Sequence, residues 1–484
     1  MDRSAGRRRV LDIELPLYLV EPEGYEVRAT ADLGHCLVTG AAGFLGRHLV
    51  AELLRRGRRV RGFDLAPAAL RHAHYEHLQG DVCSLEDLRK ACAGVDTIFH
   101  TAAVLDFARF AKAERRELSH AVNVRGVEHL VRAAREAGAL RLVHTSSNNV
   151  TFDAPVIDGD ESTPYAARPL DLYTETKVLG EQVALAASGR GSLLTCAIRP
   201  GGIYGPGESL LFPRVIDECA SGRYIAKVGD GSALSDNTFI ENLVDGEIEA
   251  ARHLLPDSPV CGQAYFISDG RPINYFDFFR PVVEALGFRH PERSVPAAPL
   301  RAVMTAWEWL HTWLAPLGVP RPPLLALEVK KIAVSHYSSI DKARRDFGWQ
   351  PRVSPEEAIA RMIEPCRRLL AARESVTRPH PAWWVAILSG MGLLGLLALS
   401  PGVHAAWQAW LGPFPPRPVL LAVFAWALGL HVWKALRAVQ LAERLGLSRT
   451  ALGWGWQTFA LGFASLRLLE RRAEERRSES AHRS

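Results

Sequence analysis

The octapeptide TGAAGFLG, Thr39 to Gly46, constrains this chain more than any other stretch. It follows the short apolar run CLV and opens HLVAELLRRG, whose apolar residues recur at helical spacing. A Gly-rich spacing is weak evidence alone, but between a strand and a helix it has a specific physical use. Gly40 permits the tight turn and Gly43 lets the backbone approach a pyrophosphate. Gly46 allows the helix to pack closely on the strand, with its first N–H groups facing the phosphates.

The same alternation continues downstream. RVRGFD (Arg59 to Asp64), DTIFHTAA (Asp96 to Ala103), LRLVHTSS (Leu140 to Ser147) and LLTCAIRP (Leu193 to Pro200) read as strands separated by helical segments. Strands alternating with helices give an α/β fold, a Rossmann doubly wound parallel sheet. From about Gly201 the alternation loosens, as a smaller lobe folded over the end of that sheet would require. At 484 residues the chain exceeds one ordinary core. The expected division is an irregular arm at 1–33, a catalytic domain at 34–370 and a helical membrane-anchoring tail at 371–484. Within the domain the Rossmann core is mainly 34–200 and the substrate lobe mainly 201–370. The segment 297–328, rich in Trp, Leu and Pro, reads as an amphipathic helix near a membrane, a substrate lid or a plain core helix.

Asp64 ends the second strand, eighteen residues past Gly46. A carboxylate there accepts hydrogen bonds from ribose hydroxyls and repels a 2′-phosphate. No Arg or Lys lies in the glycine loop or directly after Asp64, so NAD(H) is favoured over NADP(H). Asp81 could reach the adenine edge or cap a helix.

Tyr173 and Lys177 lie four residues apart in DLYTETK, on a segment continuing as a helix, so both share one face. A phenol with an ordinary pKa of about 10 needs a neighbouring cation to act as a base near neutrality, and Lys177 can supply it while donating to the nicotinamide ribose. Ser147, ending a strand, can hold a substrate oxygen beside the phenol.

TGAAGFLG, HTAA (His100 to Ala103), NVRG (Asn123 to Gly126), TSS, YTETK and RPGGIYGPGE (Arg199 to Glu208) together resemble the extended short-chain dehydrogenase/reductases over about residues 35–370. Within that superfamily the chain is similar to the 3β-hydroxysteroid dehydrogenase/sterol 4α-carboxylate 3-dehydrogenase group. VIDGDESTPY, GQAYFISDGRPIN and EVKKIAVSHYSSIDKARRDFGW most resemble its family 42E branch, whose members also end in hydrophobic tails. The resemblance makes Tyr173 the base, Lys177 its partner, Ser147 the third member and Asn123 a supporting residue. It implies cofactor contacts from Gly40, Ala42, Gly43, Phe44, Leu45, Asp64, Asp81, Val82, Ala102, Tyr173 and Lys177. Pro200 and Ile203 would lie in the loop beside the nicotinamide. Asn148 and Asn149 depart from the less polar residues of many relatives, which alters the shape of the substrate pocket. Dimers are common among similar enzymes, so a homodimer is an option.

Many extended relatives act on nucleotide sugars and carry G-x-G-x-x-R-D-(F/Y), with the Arg gripping a pyrophosphate. Here the comparable stretch is GSALSDNTF, with Ser235 in place of that Arg. Losing a bidentate donor disfavours nucleotide sugars, unless Arg214 or Lys227 compensates. The resemblance, together with the apolar tail, implies a sterol or similar lipid alcohol as the substrate. The alternative from another class is a non-catalytic NAD(H)-binding sensor or membrane scaffold. Its signature would be loss of the Tyr, the Lys or a loop glycine, and all are present.

PAWWVAILSGMGLLGLLALS, Pro381 to Ser400, carries no charge over twenty residues. At about 1.5 Å per residue it spans the ~30 Å hydrocarbon layer of a bilayer. Further apolar segments lie at about 418–433 and 450–466. Arg367, Arg368, Arg373 and Arg378 precede the first, and Lys434, Arg437, Arg444 and Arg449 follow the second. The positive-inside rule makes both flanks cytosolic, so the first two segments form a hairpin and the third, short and containing Gly, Trp and Gln, lies at the interface or re-enters. The catalytic domain then sits on the cytosolic face. Net charge is only +5, its excess lying largely in Arg-rich ends, GRRRV (Gly6 to Val10) and LERRAEERR (Leu469 to Arg477), with no nucleic-acid-reading motif beside them. Seven scattered cysteines without metal-ligand spacing imply a reduced compartment and no metal.

Overall fold

The computed structural model describes residues 32–67, 70–106, 113–220, 224–314, 322, 324–372, 379, 381–411, 415–444 and 450–470. Nearly all of the N-terminal arm, Arg373, Arg378, Arg449 and the basic run 471–477 lie outside the described residues. The chain divides into two compact units, Met1–Cys366 and Arg367–Ser484.

The first unit is built on a seven-stranded parallel sheet. Its strands are β1 (His35–Thr39), β2 (Arg59–Asp64), β3 (Tyr75–Gln79), β4 (Thr97–His100), β5 (Arg141–Thr145), β6 (Leu194–Pro200) and β7 (Ala264–Ile267). Their order is β7-β6-β5-β4-β1-β2-β3, so the chain reverses direction at β1 and opens a crevice at the carboxyl ends of β1 and β4. All five strands expected from the sequence are present. The two additions are edge strands: β3 reads YEHLQ, too polar to announce itself, and β7 comes from beyond the expected end of the core.

One face carries α2 (Leu85–Cys92), α3 (Gly126–Glu136) and α4 (Leu172–Ala186). Leu88, Leu130, Val131 and Val183 pack there on Leu37, Ile98 and Leu142, all essentially inaccessible to solvent. Burying each such side chain stabilises by about 1.5–3 kcal/mol. α1 (Phe44–Arg55) and α5 (Ile240–His253) pack on one another outside that cluster, and α5 also packs on β5, β6 and β7. Thus α5 and β7 complete the nucleotide-binding sheet from residues past 201.

Conversely, Val156–Gly159, from the first half of the chain, joins a small four-stranded sheet with His336–Ser338, Leu234–Ser235 and Ile273–Asn274. Helices Ala297–Leu314 and Ala326–Ala333 pack around Met304, Ala326 and Val329. The opposite face of the first helix exposes Val303, Trp309, Leu310 and Trp313, the last 68% accessible. That two-sidedness removes the plain core reading of 297–314; residues 315–321 and 323 lie outside the described residues.

The second unit is helical. Its helices Pro381–Leu399 and Arg417–Arg444 contain stretches, Ala382–Leu399 and Arg417–Glu443, long and apolar enough to cross a membrane by length and composition. They pack together around Leu397, Ala398 and Leu420. Two details differ from expectation. A further helix, Pro401–Leu411, follows the first, and the second continues through Lys434 and Arg437, since neither residue breaks helical geometry. The third segment forms a helix of eleven residues, Ala451–Leu461, packed on Arg417–Arg444 through Trp454, Ala438 and Ala442.

Candidate active site

The glycine loop has the geometry its spacing demands. Gly40 adopts φ +72°, and its amide donates to the Phe63 carbonyl across to β2 at 2.8 Å. A Cβ on Gly46 would stand 2.0 Å from the Gly40 carbonyl oxygen. One on Gly40 would stand 2.8 Å from the Ala102 amide nitrogen, which brings Ala102 over the turn. Gly43 caps α1 without a side chain, so no side-chain oxygen there competes for the helix's first amides. Phe44 and Leu45 open α1, Leu45 being buried. The carboxylate of Asp64 accepts from the Ala42 amide at 3.0 Å and the Ala66 amide at 2.9 Å, fixing the acid at the end of β2 beside the loop. A dinucleotide fits this cradle: a close-approach backbone, a positive helix end and a carboxylate at the end of β2 converge.

Asp81 follows the end of β3 and accepts from the Cys83 amide at 2.9 Å, while Ser84 caps α2. Of the two roles open to Asp81, the helix cap therefore falls to Ser84. Val82 packs into the main core beside Gly126. Pro200 ends β6, and Ile203 pairs with Thr238 in a two-stranded ribbon; between them, Gly201 passes so close to Asp236 that a Cβ would lie 2.3 Å from its carbonyl oxygen.

α4 carries Tyr173 and Lys177 near its start because Asp171 caps it, accepting from the Thr174 amide at 2.6 Å. Ser147 lies within hydrogen-bond reach of the Tyr173 phenol. Asn123 sits in a single π-helical turn, Ala121–Arg125, which turns its amide group inward. Its oxygen accepts from the Val104 amide at 2.8 Å, and its nitrogen donates to the Val104 carbonyl and the Thr176 hydroxyl at 3.0 and 2.9 Å. The Tyr173 amide donates to the Asp106 carbonyl at 3.0 Å. The loop after β4 is thereby stitched to the helix bearing the phenol.

Burial pushes the Tyr173 phenol above its ordinary value, opposed by the Ser147 hydrogen bond. Lys177 Nζ donates to the Thr145 carbonyl at 2.7 Å, and burial pushes it down to about 8 against the opposing pull of Glu181 and Glu247. Nearby, His100 and His144 stack with centroids 5.4 Å apart, and burial holds both far below the ordinary imidazole range, so they are neutral.

Sequence reasoning missed the buried charges around this pair. Glu181, one turn beyond Lys177, accepts from Arg199 at 2.6 Å and from the Tyr165 hydroxyl at 2.7 Å. Thr145 donates to Glu247 at 2.6 Å. The available signal was a polar pair, His144–Thr145, ending a wholly buried strand, and a Glu on a buried face of each helix.

A nucleotide cradle at the carboxyl edge of a parallel sheet, beside a Ser, a Tyr and a Lys on a strand end and helix, defines a short-chain dehydrogenase/reductase. The 3-beta hydroxysteroid dehydrogenase/isomerase family matches residues 37–297. The 3 beta-hydroxysteroid dehydrogenase/Delta 5→4-isomerase of Mycobacterium tuberculosis is 45% identical over 338 residues, 69% of this chain and 90% of the relative. The decarboxylating sterol-4-alpha-carboxylate 3-dehydrogenase of Mus musculus is 35% identical over 68% of this chain and 90% of its own. Short-chain dehydrogenase/reductase family 42E member 1 of Xenopus laevis is 36% identical over 67% and 86%. The chain belongs to the 3-beta hydroxysteroid dehydrogenase/isomerase family and is an oxidoreductase acting on CH–OH groups. Among solved structures, MoeE5 in complex with UDP-glucose and NAD superposes with a TM-score of 0.52 at 25% identity, covering 70% of this chain and all of that one. In the tail, the transmembrane protein 254 family matches residues 382–472.

Proposed function

We propose that the protein is an NAD-dependent oxidoreductase that oxidises the 3β-hydroxyl of a sterol or steroid-like lipid at a membrane, or reduces the corresponding ketone. The observation that carries this reading is the Ser147–Tyr173 contact with Lys177 one turn on, in a chain 45% identical to a 3 beta-hydroxysteroid dehydrogenase. Asp64, already fixed beside the loop, supports NAD over NADP through its repulsion of a 2′-phosphate. When bound, NAD⁺ supplies the hydride acceptor. Tyr173 as phenolate takes the hydroxyl proton, Ser147 holds the alcohol oxygen beside it, and Lys177 contributes the cationic field that favours the phenolate. Asn123 keeps the loop after β4 and the helix of Tyr173 in register. Proton transfer by such a positioned group contributes about 10²–10⁴-fold in rate.

The two long apolar helices support a membrane tether, with the catalytic unit on the cytosolic side where Arg367 and Arg368 lie. Confinement raises the encounter rate with a bilayer-dissolved alcohol. The structure of MoeE5 with UDP-glucose favours a second reading, a nucleotide-sugar enzyme. Against it, Ser235 stands where the pyrophosphate Arg would fall, and both substitute cations are engaged: Arg214 pairs with Glu328 and Glu218, and Lys227 lies 3.8 Å from Asp277.

The deciding experiment follows NAD⁺ reduction by the detergent-solubilised full chain against 3β-hydroxysterols with and without a 4α-carboxyl, a non-steroid lipid alcohol and a UDP-sugar. Turnover confined to sterols is expected, with Tyr173→Phe lowering it about 10²–10⁴-fold while NADH still binds. Near-normal turnover in that variant overturns the role of Tyr173. NADH binding with no substrate-dependent absorbance change would instead identify a sensor.

A further inference from the structure

Thr145 joins the two helical layers of the sheet through one residue. Its carbonyl accepts the Lys177 amine at 2.7 Å, and its hydroxyl donates to Glu247 Oε1 at 2.6 Å. Glu247 lies on α5 and is fully buried, as is Lys177 apart from 3% of its surface. Glu181, the other carboxyl acting on Lys177, already has the Arg199 guanidinium and the Tyr165 hydroxyl. Glu247 has no arginine. Its Oε2 has no hydrogen-bonding partner among the described residues, and the influences on it are burial, Thr145 and Lys177. Leaving one oxygen of a carboxyl without a partner at such depth costs stability.

We propose that Glu247 is a positioning residue for the reaction: through the Thr145 hydroxyl it fixes the main-chain carbonyl on which the Lys177 ammonium rests. This rests on Tyr173 and Lys177 being the reacting pair. Burial pushes Glu247 up to about 8 and Lys177 down to about 8, so the two exchange charge in one pH range. Near pH 7 Glu247 is protonated and holds Thr145 through Oε1. Above pH 8 its carboxylate forms close to Lys177 and opposes loss of the ammonium proton. The other groups facing the pair are His100 on β4, His144 on β5, Cys196 on β6 and Glu181 on α4. The first three are held neutral by burial, and Glu181 is neutralised by Arg199, so Glu247 is the group that changes charge there.

Glu247→Gln keeps an acceptor for Thr145 and removes the titration, whereas Glu247→Leu removes both. For Glu247→Gln, kcat at pH 7 should stay within about threefold of the parent with KM unchanged. The alkaline limb of its pH–rate profile should move about one unit lower, a loss of about tenfold at pH 9. Glu247→Leu should lose about tenfold in kcat already at pH 7, because Thr145 is released. A second readout needs no substrate. The folded pKa of Glu247 lies above its unfolded value of about 4.3, so its stabilising proton is fully effective below that value and lost as pH rises through 8. The thermal midpoint of the parent should therefore fall more steeply between pH 5 and 8 than that of Glu247→Gln. Parent-like alkaline limb and parent-like pH dependence of the midpoint in Glu247→Gln overturn the proposal. Should no lipid alcohol turn over, the functional reading fails and the thermal arm alone still decides for or against the linked pair.

Discussion

At the Thr39–Gly46 loop the chain works by what it omits, whereas around Lys177 it works by what it buries. In the loop, side chains are absent because the backbone itself occupies their place, as the 2.0 Å separation at Gly46 requires. Around Lys177, Glu181, Arg199 and Glu247 are taken out of water and compensated by one another or by hydroxyls. The first region is specified by shape and fails when atoms are added. The second is specified by charge and fails when a partner is removed.

The largest expected effect tests the shape side. Gly46→Val should lower NADH affinity by at least ~10²-fold, measured by titration of nicotinamide fluorescence, because its branches cannot avoid the Gly40 carbonyl. Gly231→Asn serves as the control: φ there is +83°, but nothing lies within 4 Å of its Cβ position, so NADH binding should be unchanged. Equal losses in both would mean that general destabilisation of the fold, rather than close approach in the loop, lowers the affinity.

Next comes the charge side. Arg199→Met strands Glu181, which is wholly buried, and should cost about 3–5 kcal/mol in denaturant unfolding. Arg199→Met combined with Glu181→Leu should recover most of it. If the double variant is as unstable as the single one, the guanidinium of Arg199 over the Tyr165 and Phe266 rings is the dominant contribution. The smallest effect sits where shape and charge meet: Asp64→Asn should shift the NAD to NADP affinity ratio by about tenfold towards NADP, with little loss of stability.

The same contrast explains what could be read in advance. A close-approach constraint is written locally, as glycines at fixed spacing, so the loop, five strands of the sheet and the Tyr–Lys spacing were legible from residues 35–200 alone. Buried charges are written across the fold. Glu247 gains meaning only when α5 returns beside β5, 102 residues after Thr145. Likewise β7 and Val156–Gly159 cross the expected boundary at 201 because edge pairing is decided by which backbone is left open, not by local propensity. The resting place of the Lys177 amine, on the Thr145 carbonyl, was illegible for a related reason. Spacing i, i+4 places two side chains on one face but does not say which carbonyl the amine will choose.

The seam between the loop after β4 and α4 has a mechanical consequence. Val104 is gripped at both its amide and its carbonyl by Asn123, Asp106 accepts from the amide of Tyr173 itself, and Ala102 rests against Gly40. Any displacement of that loop carries both the floor of the nucleotide cradle and the phenol along with it. The floor of the nucleotide cradle and the phenol are thus referenced to a single short segment, Ala102–Asp106, so their spacing is set by a few main-chain contacts rather than by the smaller lobe.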